Sequence, residues 1–183
     1  MVKRFHLYLI IVFFAPFFGC SKSDTSPNAV IVSIKDILPR DNEISGWVRT
    51  NRSWLARNAD DLQREIDGGF EIYVNHGFVE GAMQGYIGRI NDQTDVECEV
   101  EITDQHSSTE AQALFDDPQK AFSNPYTPTN PPSPNAQIEK RIFSYEMKFT
   151  KGKYYVAISL HNTDDKAEEV IGIFANNIGN KIR

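Results

Sequence analysis

The sequence predicts a single α+β domain in which an antiparallel sheet carries about three helices packed on one face, and three observations lead there. From Thr94 to Ile102, Val96, Cys98, Val100 and Ile102 alternate with Glu97, Glu99 and Glu101, the period of a strand with one buried and one wet face. The extended segments are separated by tight turn signals instead of long crossovers, which pairs neighbours antiparallel. Near the C-terminus, Ala167, Val170, Ile171, Phe174 and Ile178 repeat at helical spacing, and a helix with such a stripe needs a sheet face to cover.

In chain order, the apolar β-branched run from Ile31 to Ile34 predicts a short strand, stopped at Leu38-Pro39, and Gly46-Trp47-Val48 begins a second extended segment. Asn58 or Asp60 caps a helix to about Asp67, with Leu62 and Ile66 four residues apart toward the core. Gly68-Gly69 closes that helix, because glycine accepts the left-handed conformation of a helix end. Three strands follow, Phe70 to Asn75, Gly81 to Ile90 and Thr94 to Ile102, broken at His76-Gly77 and Asn91-Asp92. Ser107 or Ser108 caps the next helix, which presents Ala111, Leu114 and Phe115 and stops at Asp116-Asp117-Pro118.

Residues 123–137 hold five prolines and almost no aliphatic side chains, so they form a loop that either crosses between halves of the domain or contacts something outside it. A hairpin comes next, Ile142 to Phe149 and Tyr154 to Leu160 around Thr150-Lys151-Gly152-Lys153. The last helix opens at Asp164 or Asp165 and ends near Gly179.

Ahead of the domain, Lys3 and Arg4 precede an apolar run from Leu7 to Gly19 that is closed by Cys20. This run is shorter than the roughly 20 residues of a membrane-crossing helix. Phe17-Phe18-Gly19-Cys20 resembles the end of a bacterial lipoprotein signal peptide, with Phe in place of the commoner Leu three residues before the cysteine. The resemblance implies cleavage after residue 19, acylation of Cys20 and a polar tether over 20–29, leaving 30–183 as the domain. Ser21 after the cysteine points to the outer membrane, facing the periplasm, if the cell is Gram-negative.

The chain carries a net charge of −6, which becomes more negative once Lys3 and Arg4 are removed. Acidic balance without a basic stripe excludes a nucleic-acid partner, since such affinity comes from neutralising phosphates. With Cys20 acylated, Cys98 has no disulfide partner, and its place in the alternating strand makes it a small buried hydrophobe.

Chemistry-bearing clusters are sparse. His76 and Glu80 stand four apart across a turn, and His106 and Glu110 straddle a helix start, so neither pair shares a face as zinc-hydrolase histidines do, and no metal site is expected. Ser107, Ser108 and Ser159 lack a nucleophile-elbow context, and the alternating glutamates form a solvated face. No phosphate-gripping glycine motif occurs, and no cofactor is expected. Four residues are binding candidates by size and chemistry: Trp47, Trp54, His76 and Tyr126. Asp67, Gly68, Gly77 and Phe78 read as structural, Asp67 by accepting turn amides and the glycines by backbone conformation.

Leu38-Pro39, Gly46-Trp47, Leu62 with Ile66-Asp67-Gly68, Tyr73, Gly77-Phe78 and Tyr86, and more weakly Glu110-Ala111, Phe115 and Lys153 to Val156, together resemble a family of exported bacterial proteins that has no assigned reaction. That resemblance implies a single α+β domain behind a signal peptide. The expected function is a non-catalytic binding or assembly module of the cell envelope, held to the membrane by its lipid, with an envelope protein or a glycan as partner. A small-ligand carrier with a cavity between sheet and helices, and an envelope hydrolase, are the alternatives.

Overall fold

The computed structural model describes residues 33–66 and 68–182. Cys20, the signal and tether segments, Asp67 and the first half of the expected strand at Ile31 to Ile34 lie outside them. The described residues form one α+β domain built on a six-stranded, wholly antiparallel sheet with several helices packed on it. Its strands are β1 (Val48–Ala56), β2 (Glu80–Ile90), β3 (Gln93–Asp104), β4 (Gln137–Lys140), β5 (Tyr145–Lys151) and β6 (Tyr154–Leu160), in the spatial order β1-β2-β3-β6-β5-β4. Among the described residues no helix is long and apolar enough to cross a membrane.

Alternation on the central strand β6 separates two cores. Val156, Ile158 and Leu160 point to one side, Tyr155 and Ala157 to the other. Three short helices, α2 (Ala59–Glu65), α3 (Phe70–Asn75) and α4 (Ser108–Asp116), pack together on the Tyr155 side, where Leu62, Ile72, Tyr73, Leu114 and Phe115 cluster with Ala56 and Tyr155. The long α5 (Asp165–Lys181) and the four-residue α1 (Ile34–Ile37) build the larger core on the other side with Val96, Cys98, Val100 and Ile102 of β3. Phe174 stands at its centre, edge-on to Trp47 at 5.1 Å and to Tyr86 at 5.2 Å between ring centroids.

Helix starts follow their caps. The side chains of Asn58, Ser107 and Asp164 accept from backbone amides of Asp61, Glu110 and Lys166 respectively. One expected strand is a helix instead. Phe70–Asn75 buries the adjacent residues Ile72 and Tyr73 in one cluster, which a helix allows at 100° per residue and a strand, at 180°, forbids. Gly69 at φ +76° and Gly77 at φ +77° fix its two ends. Ile34, the last residue of the first expected strand, opens α1, where Ile34 and Ile37 are buried together three apart.

The proline-rich segment 123–137 is a strap along α5. Tyr126 forms an isolated antiparallel bridge with Ile138, its hydroxyl donates to Glu168 of α5 at 3.0 Å, and Asn176 of α5 donates to the Asn130 carbonyl at 3.0 Å. The strap leads into β4, which covers the free edge of β5. The strand expected from Ile142 begins only at Tyr145. Arg141 to Ser144 form the turn, closed by Arg141 N–H donating to the Ser144 carbonyl at 2.8 Å, and Ile142 and Phe143 are left at its tip.

Candidate functional site: a groove on the open sheet face and an apolar hairpin tip

Helices α2 to α4 cover only one end of their sheet face, and the uncovered remainder is the floor of a groove of 330 Å³. Register places its floor residues in two rows across the strands. Met83, Glu101, Ala157 and Lys148 make one row, and Glu99, Ser159, Glu146 and Glu139 make the next. Tyr73 of α3 and the Gln119–Phe122 segment, which begins inside the 3-10 turn Pro118–Lys120, form its wall.

Charged side chains in this groove differ in how they are satisfied. Glu99 pairs with Arg52. Tyr73 Oη donates to Glu101 Oε1 and accepts from Lys120 Nζ, both at 2.5 Å, so Lys120 reaches its nearest carboxylate through a phenol. Burial first, and Glu101 second, push the Tyr73 hydroxyl well above its ordinary pKa, keeping it protonated in this relay. Arg141 Nε lies 2.8 Å from Glu139 Oε2, close enough for an ion pair though not aligned as a hydrogen bond. Among the described residues, Glu146 is met only by the Ser144 hydroxyl, at 3.3 Å.

Lys148 is 3 % exposed. Its Nζ donates to the carbonyls of Phe115 at 2.9 Å and Lys120 at 2.7 Å, tying β5 to the C-terminus of α4, where a cation is favoured. Phe115 and Phe122 stand around it, with ring centroids 4.2 and 5.2 Å from Nζ. Burial lowers the pKa of both Lys148 and Lys120. In the strand pattern Lys148 reads as an ordinary solvent residue, and only its register against Ala157, under α4, would have marked it.

The sequence-predicted candidates are placed elsewhere. Trp47, considered as a surface anchor, is 3 % exposed and packs in the main core, because Gly88 on β2 leaves room for its ring and Phe174 meets its edge. Trp54 is half-buried against the smaller core. Tyr126 is 39 % exposed, with its hydroxyl committed to Glu168. Gly68 at φ +80° and Gly77 at φ +77° hold conformations that suit glycine, and Phe78 packs against the smaller core. Leu38, Pro39, Trp47 and Tyr86 meet at one corner. Tyr86 Oη donates to the Pro39 carbonyl at 3.0 Å and Arg49 donates to the Pro39 and Leu38 carbonyls at 2.7 and 3.1 Å, so this part of the resemblance motif serves packing.

His76 does meet a carboxylate, its Nε2 lying 3.0 Å from Asp117 Oδ2. Asp117 also caps the 3-10 turn through Gln119 N–H at 2.8 Å, and neither residue lines the groove. The pair joins the end of α3 to the α4 exit. Its hydrogen bond to His76, with the Gln119 amide second, holds the Asp117 carboxyl below the ordinary value. A carboxyl depressed on folding stabilises the native state above its unfolded pKa and loses that contribution as pH falls through its folded pKa. Asp117→Asn is therefore expected to lower Tm at pH 7 and to converge with the wild type as pH falls through the depressed pKa of the folded state, as read from thermal unfolding across pH. No group of three histidine, cysteine, aspartate or glutamate side chains converges as a metal cluster among the described residues.

The most exposed large apolar residues among those described are Ile142 and Phe143, each 82 % exposed at the tip of the β4–β5 hairpin and flanked by Lys140 and Arg141. Sequence reading placed both inside a strand, where they would have been half-buried.

No protein-family model matches the chain, and no curated protein matches it significantly. Among solved structures it is similar to the extracellular domain of PknH from Mycobacterium tuberculosis, with a TM-score of 0.56 and 9 % identity, over 81 % of this chain and 94 % of that one. At that identity, what the two share is the α+β fold.

Proposed function

We propose that this chain is a non-catalytic binding or assembly module of the bacterial cell envelope, exported, acylated at Cys20, and engaging a neighbouring envelope protein through the β4–β5 hairpin tip. The observation that carries the reading is the Ile142-Phe143 pair, held out by a short turn at 82 % exposure each. Two adjacent large apolar side chains on a rigid hairpin form a ready anchor for a pocket, since each contributes roughly 1.5–3 kcal/mol when buried. The similar fold of a domain described as extracellular supports export. Acyl chains at Cys20 would confine the domain to a membrane surface, where even a modest contact gains from high effective concentration.

Photo-crosslinking from position 143 in cells tests the tip. A discrete adduct that disappears in the Ile142→Ser background, with the purified variant's Tm unchanged, is the expected result. An absent adduct, or one that survives Ile142→Ser, refutes docking through the tip. Labelling with a fatty-acid analogue tests the anchor separately, and Cys20→Ala is expected to abolish incorporation and move the protein to the soluble fraction.

A further inference from the structure

The groove on the open sheet face presents an arrangement that the hairpin tip does not use. Lys148 is a buried ammonium two of whose three donors are met by backbone carbonyls, the third having no acceptor among the described residues. No carboxylate oxygen of the described residues lies within 4.0 Å of its Nζ or of that of Lys120. Buried cations are ordinarily paired, and carbonyl dipoles and aromatic rings without a counter-charge leave Lys148 undercompensated. Two residues earlier on the same strand and the same face stands Glu146, a half-buried carboxylate that among the described residues is met only by a serine hydroxyl. At about 3.4 Å of rise per strand residue, the two lie roughly 7 Å apart. Between and beside them are apolar surfaces, Phe122 on the wall and Met83 and Ala157 on the floor.

We propose that this groove binds a small zwitterion of dipeptide size, its carboxylate received by Lys148 with Lys120 beside it, its ammonium by Glu146, and an apolar side chain laid along Phe122 and Met83. The charge pattern argues for net neutrality in the ligand. Glu99, Glu101 and Glu146 all line the same 330 Å³, so a phosphate dianion brings two further negative charges to a floor already acidic, whereas a carboxylate accompanied by its own ammonium brings none in net. The volume is at the lower end for small-ligand pockets, which suits a dipeptide and excludes a long chain. Burial depresses the pKa of Lys148, and an arriving carboxylate raises it again, so binding takes up a fraction of a proton near the depressed value.

The test is calorimetric titration of the full chain with alanyl-phenylalanine, with its C-terminal amide and with its N-acetyl form. Saturable binding of the free dipeptide is expected, weakened at least tenfold by amidation and to a smaller degree by acetylation. Glu146→Gln should weaken the free dipeptide and leave the N-acetyl form unaffected, a double comparison that a merely structural glutamate would not give. Lys148→Met is the direct variant; because it also removes the tie to α4, it is scored only if its thermal unfolding remains cooperative, and the amide comparison on the wild type stands without it. No saturable binding of the free dipeptide at millimolar concentration, or equal binding of the amide, overturns the proposal. Both outcomes are independent of the crosslink at the hairpin tip, so the two readings fail separately.

Discussion

Phe174→Ala is expected to lower folding stability by about 4 kcal/mol, the largest single effect that the structure suggests. Phe174 is fully buried and meets both Trp47 and Tyr86 edge-on, so truncation removes its own transfer energy, opens a cavity and dissolves two aromatic contacts worth roughly 0.5–1.5 kcal/mol each. Its neighbours cannot close the gap easily. Trp47 is pinned between Phe174 and Gly88, and Tyr86 is held by its bond to the Pro39 carbonyl. Since whole domains are stable by only about 5–15 kcal/mol, the variant loses a large fraction of the total. Urea unfolding should show a lower midpoint at unchanged slope, with Tm down by roughly 10 °C. A loss under 2 kcal/mol would mean that the two aromatic neighbours collapse into the space.

Gly88→Ala acts on the same contact from the opposite direction. A Cβ built on Gly88 falls 2.4 Å from Cδ2 and 2.6 Å from Cε2 of Trp47, far inside van der Waals contact. The backbone there is ordinary strand, so conformation is not the obstacle. The obstacle is a rigid indole that has Phe174 against it. Overpacking of this kind costs about 3 kcal/mol. The two changes should also be strongly non-additive, because the cavity left by Phe174→Ala gives Trp47 somewhere to move. In a double-mutant cycle the combined loss should fall short of the sum by at least 1 kcal/mol. Additive losses would show that Trp47 escapes in another direction.

Much of this architecture is legible in the chain because it is set locally. Asn58, Ser107 and Asp164 announce helix starts through their own side chains, and the alternation from Val96 to Ile102 names the buried face of β3 without reference to any partner. The resemblance residues Trp47 and Tyr86 proved to belong to one packed corner. What was not legible depends on contacts far along the chain. Phe70 to Asn75 is rich in strand-forming residues and becomes helix because a cluster of Leu62, Leu114, Phe115 and Tyr155 accepts Ile72 and Tyr73 together. Ile142 and Phe143 look like the start of a strand, and only the pairing of Lys140 with Tyr145 moves them into the turn. Lys148 has the sequence neighbourhood of a wet residue, and its burial is imposed by α4 and the segment after it, nearly thirty positions earlier. The groove was foreseen only as a general alternative, a cavity between sheet and helices, since its lining comes from six separated stretches.

The placement of α5 bears on how the molecule comes into being. Every strand and every other helix of the described residues precedes it in the chain, yet the larger core lies under it. A growing chain can therefore pair its strands and still carry Val96, Cys98, Val100, Ile102, Val156 and Ile158 as a bare oily sheet until Phe174 and Ile178 have been made. Such a surface is a target for holding chaperones and a hazard for self-association. Folding is all-or-nothing in time as well as in energy: a nascent chain stopped before residue 165 is not a smaller version of this domain but a sticky intermediate, and quality control has a simple feature to read in it, an uncovered sheet.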